Sequence, residues 1–196
     1  MNNLLSIVAF GVLLLGNSCS VDLAKFVDLE YPALAPTPLL NGDSVSVVTS
    51  NTLPEPMQLV GNYWLLGTED LGPLIETLEF RSYDNPNRWI ALALSSELGA
   101  VGRNAPILLS PPSHGIGVEP KILVMRFSVG GAPVNPISFS EMTVLFSVYQ
   151  NGILFASFEV NGRANGETES ISLSACLQMV FSQALPVLNE YLEVIP

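Results

Sequence analysis

Met142–Gln150 (MTVLFSVYQ), Asn151-Gly152 and Ile153–Val160 (ILFASFEV) form the stretch from which the fold is read. Two apolar segments rich in β-branched and aromatic residues flank a two-residue joint. A type I′ hairpin needs positive φ at both central positions, and Asn followed by Gly meets that need at least cost. The stretch therefore predicts two long antiparallel strands closed by a tight turn.

Working outward, Lys121–Val129 (KILVMRFSV) reads as a further buried or half-buried strand, and Gly130-Gly131-Ala132-Pro133 as the opening of a long surface connection. Beyond the hairpin, Gly162-Arg163-Ala164-Asn165-Gly166 is expected to turn the chain out of the sheet. A helix then runs from about Ser170 to Leu192, with Leu173, Leu177, Val180, Phe181, Leu185 and Leu188 at helical spacing. Pro186 inside it removes the bond to the carbonyl of Ser182 and is expected to kink or split the helix.

Towards the N-terminus, Ser44–Thr49 is a β-branched strand ended by Leu53-Pro54-Glu55-Pro56, since proline cannot donate to a ladder. Met57–Leu66 is open between a short strand and a helical turn, and Leu74–Tyr83 alternates as a strand. Asp84 or Asn85 can cap a helix with Pro86 in its first turn; Ile90, Leu94, Leu98 and Val101 form its stripe, with Trp89 and Ala93 beside it and Gly102 as the stop. Ala105–Ser110 reads as a short strand, and 111–115 as a loop. This order predicts one α+β domain: a largely antiparallel sheet with two main helices packed on one face.

Of the 196 residues, 48% are hydrophobic and only 13% charged, with a net charge of −11. That is too apolar for a disordered chain. Seven Lys and Arg scattered along an acidic chain make no basic stripe, which excludes a nucleic-acid surface and a polybasic membrane patch.

Chemistry is thinly supplied. His114 is the only histidine, set in a Pro/Gly loop beside Ser113, where an exposed and inert side chain is the expected reading. Cys176 lies among apolar residues of the last helix and reads as core. One His and two Cys, without a tight carboxylate cluster, give no metal site. No cofactor motif is present: Gly115-Ile116-Gly117 lacks a third glycine. Trp64 and Trp89 are expected as packing or interface anchors. These readings predict a non-enzymatic protein.

The first residues suggest where it works. Leu4–Leu15 (LLSIVAFGVLLL) is an apolar run that as a helix would rise roughly 18 Å, short of the ~30 Å bilayer core, and it is followed by small residues. It reads as an export signal over residues 1–18. Cys19 stands where a lipoprotein signal places its acylated cysteine, though Gly16 occupies the position that usually holds Leu. Residues 19–41, with Pro32, Pro36 and Pro38 and a first extended piece around Leu29-Glu30-Tyr31, then read mostly as a tether from the lipid on Cys19 to a domain over 42–196. In an oxidising compartment the alternative for Cys19 is a disulfide with Cys176.

Several stretches together resemble the auxiliary lipoproteins of MCE-type lipid transport systems, the PqiC-like, ABC-type transport auxiliary family. They are Val45-Ser46-Val47 followed by Leu53-Pro54-Glu55-Pro56, Tyr83–Trp89 entering a helix, Pro120–Phe127, the hairpin, its Gly162/Ala164 exit and the terminal helix. The likeness spans roughly residues 28 to 192 and is one of pattern more than of identities. The resemblance implies anchorage through Cys19 to the periplasmic face of the outer membrane. It also implies an MCE-type transport subunit as partner, self-association into a homo-oligomer, and an accessory part in lipid movement. The residues themselves leave a second reading open, a soluble periplasmic or secreted domain that binds a small apolar ligand.

Overall fold

The computed structural model describes residues 23–32, 34–37, 44–49, 58–63, 78–82, 84–132 and 135–194. Three strands dominate it: β6 (Ile116–Ala132), β7 (Asn135–Gln150) and β8 (Ile153–Gly166). They form consecutive antiparallel pairs in a five-stranded sheet of order β5-β2-β6-β7-β8, completed by β2 (Val45–Val48) and β5 (Ile107–Leu108). The short β2 pairs parallel with both β5 and β6, so the sheet is mixed while most of its ladder is antiparallel. A second, three-stranded sheet is built from β1 (Leu23–Phe26), β4 (Leu78–Ser82) and β3 (Gln58–Tyr63), in the order β1-β4-β3.

The hairpin is as the sequence predicts. Gln150 pairs with Ile153, and Asn151 and Gly152 take φ of 52° and 80°, both positive as a type I′ turn requires. The turn is also tied to the loop that precedes β6. The Gly115 amide donates to the Asn151 side chain and the Asn151 amide to the Gly115 carbonyl, each at 2.9 Å.

Two glycine-rich stretches behave differently from their sequence reading. Gly130–Ala132 stay within β6, and Ala132 already pairs with Asn135, so no long surface connection opens there. Likewise Gly162–Gly166 stay paired with β7 as part of β8. A missing side chain does not remove the backbone groups that make a ladder. At Gly162 and Gly166 it serves packing instead: an added Cβ would lie 2.6 Å from the Cys176 carbonyl oxygen and 2.6 Å from the Ser172 amide nitrogen, respectively.

Those contacts come from α2 (Glu169–Val194), which lies under β8 and β7, while α1 (Pro86–Ala100) lies under β6 and β2. Val118, Met142, Val144, Phe146, Val148 and Val160 on the inner face of the sheet are buried against Ile90, Leu94 and Leu98 of α1 and Leu173, Leu177, Val180, Phe181 and Leu188 of α2. The result is one core, with both helices on one face of the sheet. Pro186 does not split α2, whose stripe is buried on either side of it at Ala184 and Leu188. By length and composition α2 could cross a membrane, but its apolar stripe packs on the sheet, as in a core helix.

The cap of α1 is Asn85, whose side chain accepts from the amides of Asn87 (2.9 Å) and Arg88 (3.4 Å), with Pro86 following. Its far end closes in a Schellman arrangement, with Arg103 donating to the Leu98 carbonyl, Gly102 to that of Gly99, and φ of 83° at Gly102. The chain turns there, so Val101 leaves the predicted stripe and is 46% exposed.

Candidate functional site

The described part of the expected tether is packed onto the body. Leu23–Phe26 is a strand, and Val27 and Leu29 are buried in the main core. From there residues 29–32 and 34–37 lie as a strap along α1. The Leu34 amide donates to Ser96 Oγ at 3.4 Å, the Thr37 amide to the Gly99 carbonyl at 3.1 Å, and the Thr37 hydroxyl to the Ala100 carbonyl. The alternation Val27, Leu29, Tyr31 turns three apolar side chains inward, which a solvated tether would not do.

Tyr31 joins the strap to both helices. Its ring meets Phe181 of α2 edge-on, with centroids 5.7 Å apart and planes at 80°, and its hydroxyl donates to Glu97 of α1. Burial, and then the bond to Glu97, raise the phenol far above its ordinary pKa of about 10, because ionisation would put a charge in the fold beside a carboxylate. The contact continues inward: Phe181 meets Phe146 at 6.5 Å, and Phe146 stacks on Phe158 at 5.3 Å. The strap is thus coupled through α2 to the centre of the sheet.

Two hollows flank this crossing. Towards α1, one of about 260 Å³ is lined by Leu29, Tyr31, Pro32, Trp89, Leu92, Ala93 and Ser96. Towards α2, one of about 340 Å³ is lined by Glu30, Tyr31, Pro32, Ser170, Ile171, Ser174, Ala175 and Gln178. Trp89 is 5% exposed, and its indole Nε1 finds no hydrogen-bond partner among the described residues.

On the opposite face of the sheet is an open concavity of about 640 Å³, where Arg126, Glu141 and Arg163 stand in register across β6, β7 and β8. Arg163 reaches Glu141 Oε1 through both Nη2 (2.8 Å) and Nε (3.2 Å), and Phe139 stands exposed nearby. The pair is exposed, and such a contact contributes at most about 1 kcal/mol. At the hairpin tip, Ile153, Leu154 and Phe155 are 73%, 55% and 48% exposed, and the Phe155 ring meets Tyr191 of α2 edge-on at 6.3 Å.

Of the residues singled out in sequence, Trp89 lies in the core and in the wall of the first hollow, joining packing to the candidate site. Cys19 and Trp64 lie outside the described residues. Ser113 and His114 are exposed in their loop. Cys176 carries a buried thiol, and its expected alternative partner Cys19 lies outside the described residues; burial pushes that thiol up to about 11, against a smaller opposing effect of a hydrogen bond with the Met142 backbone. No group of three His, Cys, Asp or Glu is placed to hold a metal among the described residues. The sequence marked the strap only as an extended piece around Leu29-Glu30-Tyr31 within a tether, because its prolines outweighed the alternation that marks it.

No protein-family model matches the chain, and no curated protein matches it in sequence. Among solved structures it is similar to protein XCC0632 from Xanthomonas campestris, described as DUF330. That likeness has 8% identity and a TM-score of 0.46, covering 84% of this chain and 91% of that one. It is also similar to a neuraminyllactose-binding hemagglutinin homolog from Helicobacter pylori, at 12% identity and TM-score 0.42, covering 89% and 98%. Likenesses at this level carry no argument about function. The class that the chain's own geometry defines is a one-domain α+β protein whose N-terminal strap closes over a helix pair.

Proposed function

We propose that the chain is a non-enzymatic, exported envelope lipoprotein that serves as an accessory or assembly component of an MCE-type, ABC-linked lipid transport system. In this reading residues 1–18 are removed, Cys19 carries the lipid, and the body lies against the periplasmic face of the outer membrane. The observation that supports it best is the place where the chain joins the fold. Leu23 is already in a strand, four residues after Cys19. Even fully extended, that interval spans only about 14 Å. A lipid on Cys19 would hold the folded body close to the bilayer, in the place of a component that works beside a membrane-embedded partner. The low charge density fits a surface made to meet a transport subunit or further copies of the chain.

The mass of the mature N-terminus, from protein expressed in a Gram-negative host, tests the reading. A chain that starts at an acylated Cys19, and a Cys19→Ala variant that leaves the membrane fraction, are the expected results. A mature N-terminus without acyl mass, or unchanged partitioning of the variant, overturns the anchor.

A further inference from the structure

Strand β8 ends the five-stranded sheet, and among the described residues no strand pairs with its outer side. Two contacts at Asn161 show which main-chain groups face that side. Its carbonyl accepts from Gln183 Nε2 of α2 at 3.2 Å, and so points away from β7. Its side chain bonds that of Thr143 across the ladder at 2.6 Å, as suits the closer, non-hydrogen-bonded kind of pair. Direction alternates along an antiparallel ladder, and no bulge interrupts β8 from Ala156 to Gly166. Ser157, Glu159, Arg163 and Asn165 therefore turn their amides and carbonyls outward together with Asn161, and all five residues are exposed. Open edges are usually blunted by short length, proline or a covering segment. This strand has 14 residues and no proline, and among the described residues the Gln183 side chain alone bonds its outer edge.

We infer that a second copy of this chain adds across the β8 edge, strand against antiparallel strand, about a two-fold axis through Asn161. The charges choose the register. With Asn161 opposite itself, Glu159 faces the partner's Arg163, Arg163 faces the partner's Glu159, and Ser157 faces the partner's Asn165. An axis through Glu159 or through Arg163 would instead set like charges opposite each other. Arg163 holds Glu141 with Nη2 and Nε, which leaves Nη1 for the incoming carboxylate. Each outward pair exchanges two main-chain bonds, and the Asn161 carbonyl trades Gln183 for a partner amide. Gln183 keeps the Met179 carbonyl as acceptor, at 3.3 Å. Because α2 lies beneath β7 as well as β8, it is set back from the edge, and two copies of it fit side by side below the joint. Met179, one turn before Gln183, is 46% exposed and gives that flank an apolar contact. The inference rests neither on a lipid at Cys19 nor on a transport role; it assigns the surface through which copies associate.

The test takes the purified full-length chain carrying Cys19→Ala, in a non-ionic detergent that shields its apolar first residues. The remaining thiol, Cys176, is buried. Sedimentation equilibrium is expected to give a dimer. Adding Asn161→Cys and oxidising with diamide is expected to lock that dimer by a disulfide, since Cα atoms in such a pair lie about 5.5 Å apart. Thr143→Cys, one strand inward, is expected to stay uncrosslinked. Glu159→Arg sets like charges across both pairs and should weaken the dimer at least about tenfold, with an unchanged circular dichroism spectrum. A monomeric Cys19→Ala chain, cross-linking of Asn161→Cys no greater than that of Thr143→Cys, or a dimer of undiminished affinity in Glu159→Arg overturns the edge. A failed anchor at Cys19 leaves all three outcomes as they are.

Discussion

Tyr31 and Phe181, 150 residues apart in the chain, meet edge-on with ring centroids 5.7 Å apart, and the contact fastens the N-terminal strap to the terminal helix. The tyrosine hydroxyl extends the link to Glu97 on the other helix. One side chain therefore bridges the two helices where their groove is roofed, and it separates the hollows on either side.

Removing only the hydroxyl measures the polar half of this bridge. Tyr31→Phe keeps the ring on Phe181 and leaves the half-exposed Glu97 carboxylate to water, so the loss should be about 1 kcal/mol in urea unfolding. Tyr31→Ala also removes the ring and should cost about 3 kcal/mol, with faster proteolysis within residues 29–37. Equal stability of the parent chain and Tyr31→Ala would show that the strap contributes nothing to the fold.

The same bridge makes stability depend on alkaline pH. The folded phenol titrates above its unfolded value, so the fold favours the neutral hydroxyl. That contribution is fully present below pH of about 10 and is lost as the pH rises from there through the folded pKa. Denaturation midpoints measured from pH 8 to 11 should fall at the upper end, and fall less steeply in Tyr31→Phe. Parallel profiles for the two chains would assign the alkaline loss to other groups.

Two glycines should respond to alanine with opposite signs. At Gly162 the new methyl would lie 2.6 Å from the Cys176 carbonyl oxygen and 2.7 Å from Val180 Cγ2, pushing α2 off the sheet at a cost of about 1–3 kcal/mol. Gly99 lies in the last turn of α1 with nothing within 4 Å of the added atom, so alanine there should stabilise by about 0.5–1 kcal/mol. Thermal unfolding of both variants checks the pair.

How much of this was legible beforehand depended on whether the signal was local. Asn151-Gly152 between apolar strands specified a hairpin because the backbone requirement of the turn lies within two residues. Asn85-Pro86 and Gly102 marked the ends of α1 for the same reason, and the stripes of both helices named most of the core. The α+β class follows from the order of those elements. The candidate site was not legible, because its walls come from three stretches far apart in the chain. Only Trp89 among them stood out by type.

The sequence by itself determined the hairpin, the two helices and their buried faces, since each rests on periodicity or capping within a short span, and it set the acidic net charge of −11. Tertiary structure alone decided what the glycines and prolines mean. Gly162 and Gly166 read locally as a turn, yet they stay in the strand because a helix needs the room that their missing side chains leave. Pro186 reads as a break, yet the helix is held through it by buried neighbours on both sides. Residues 19–41 read as a tether, yet the described part of them is drawn down by Val27, Leu29 and Tyr31 onto surfaces that exist only once α1 and α2 lie side by side. Burial free energy belongs to pairs of surfaces, and a sequence read in order displays only one surface of each pair.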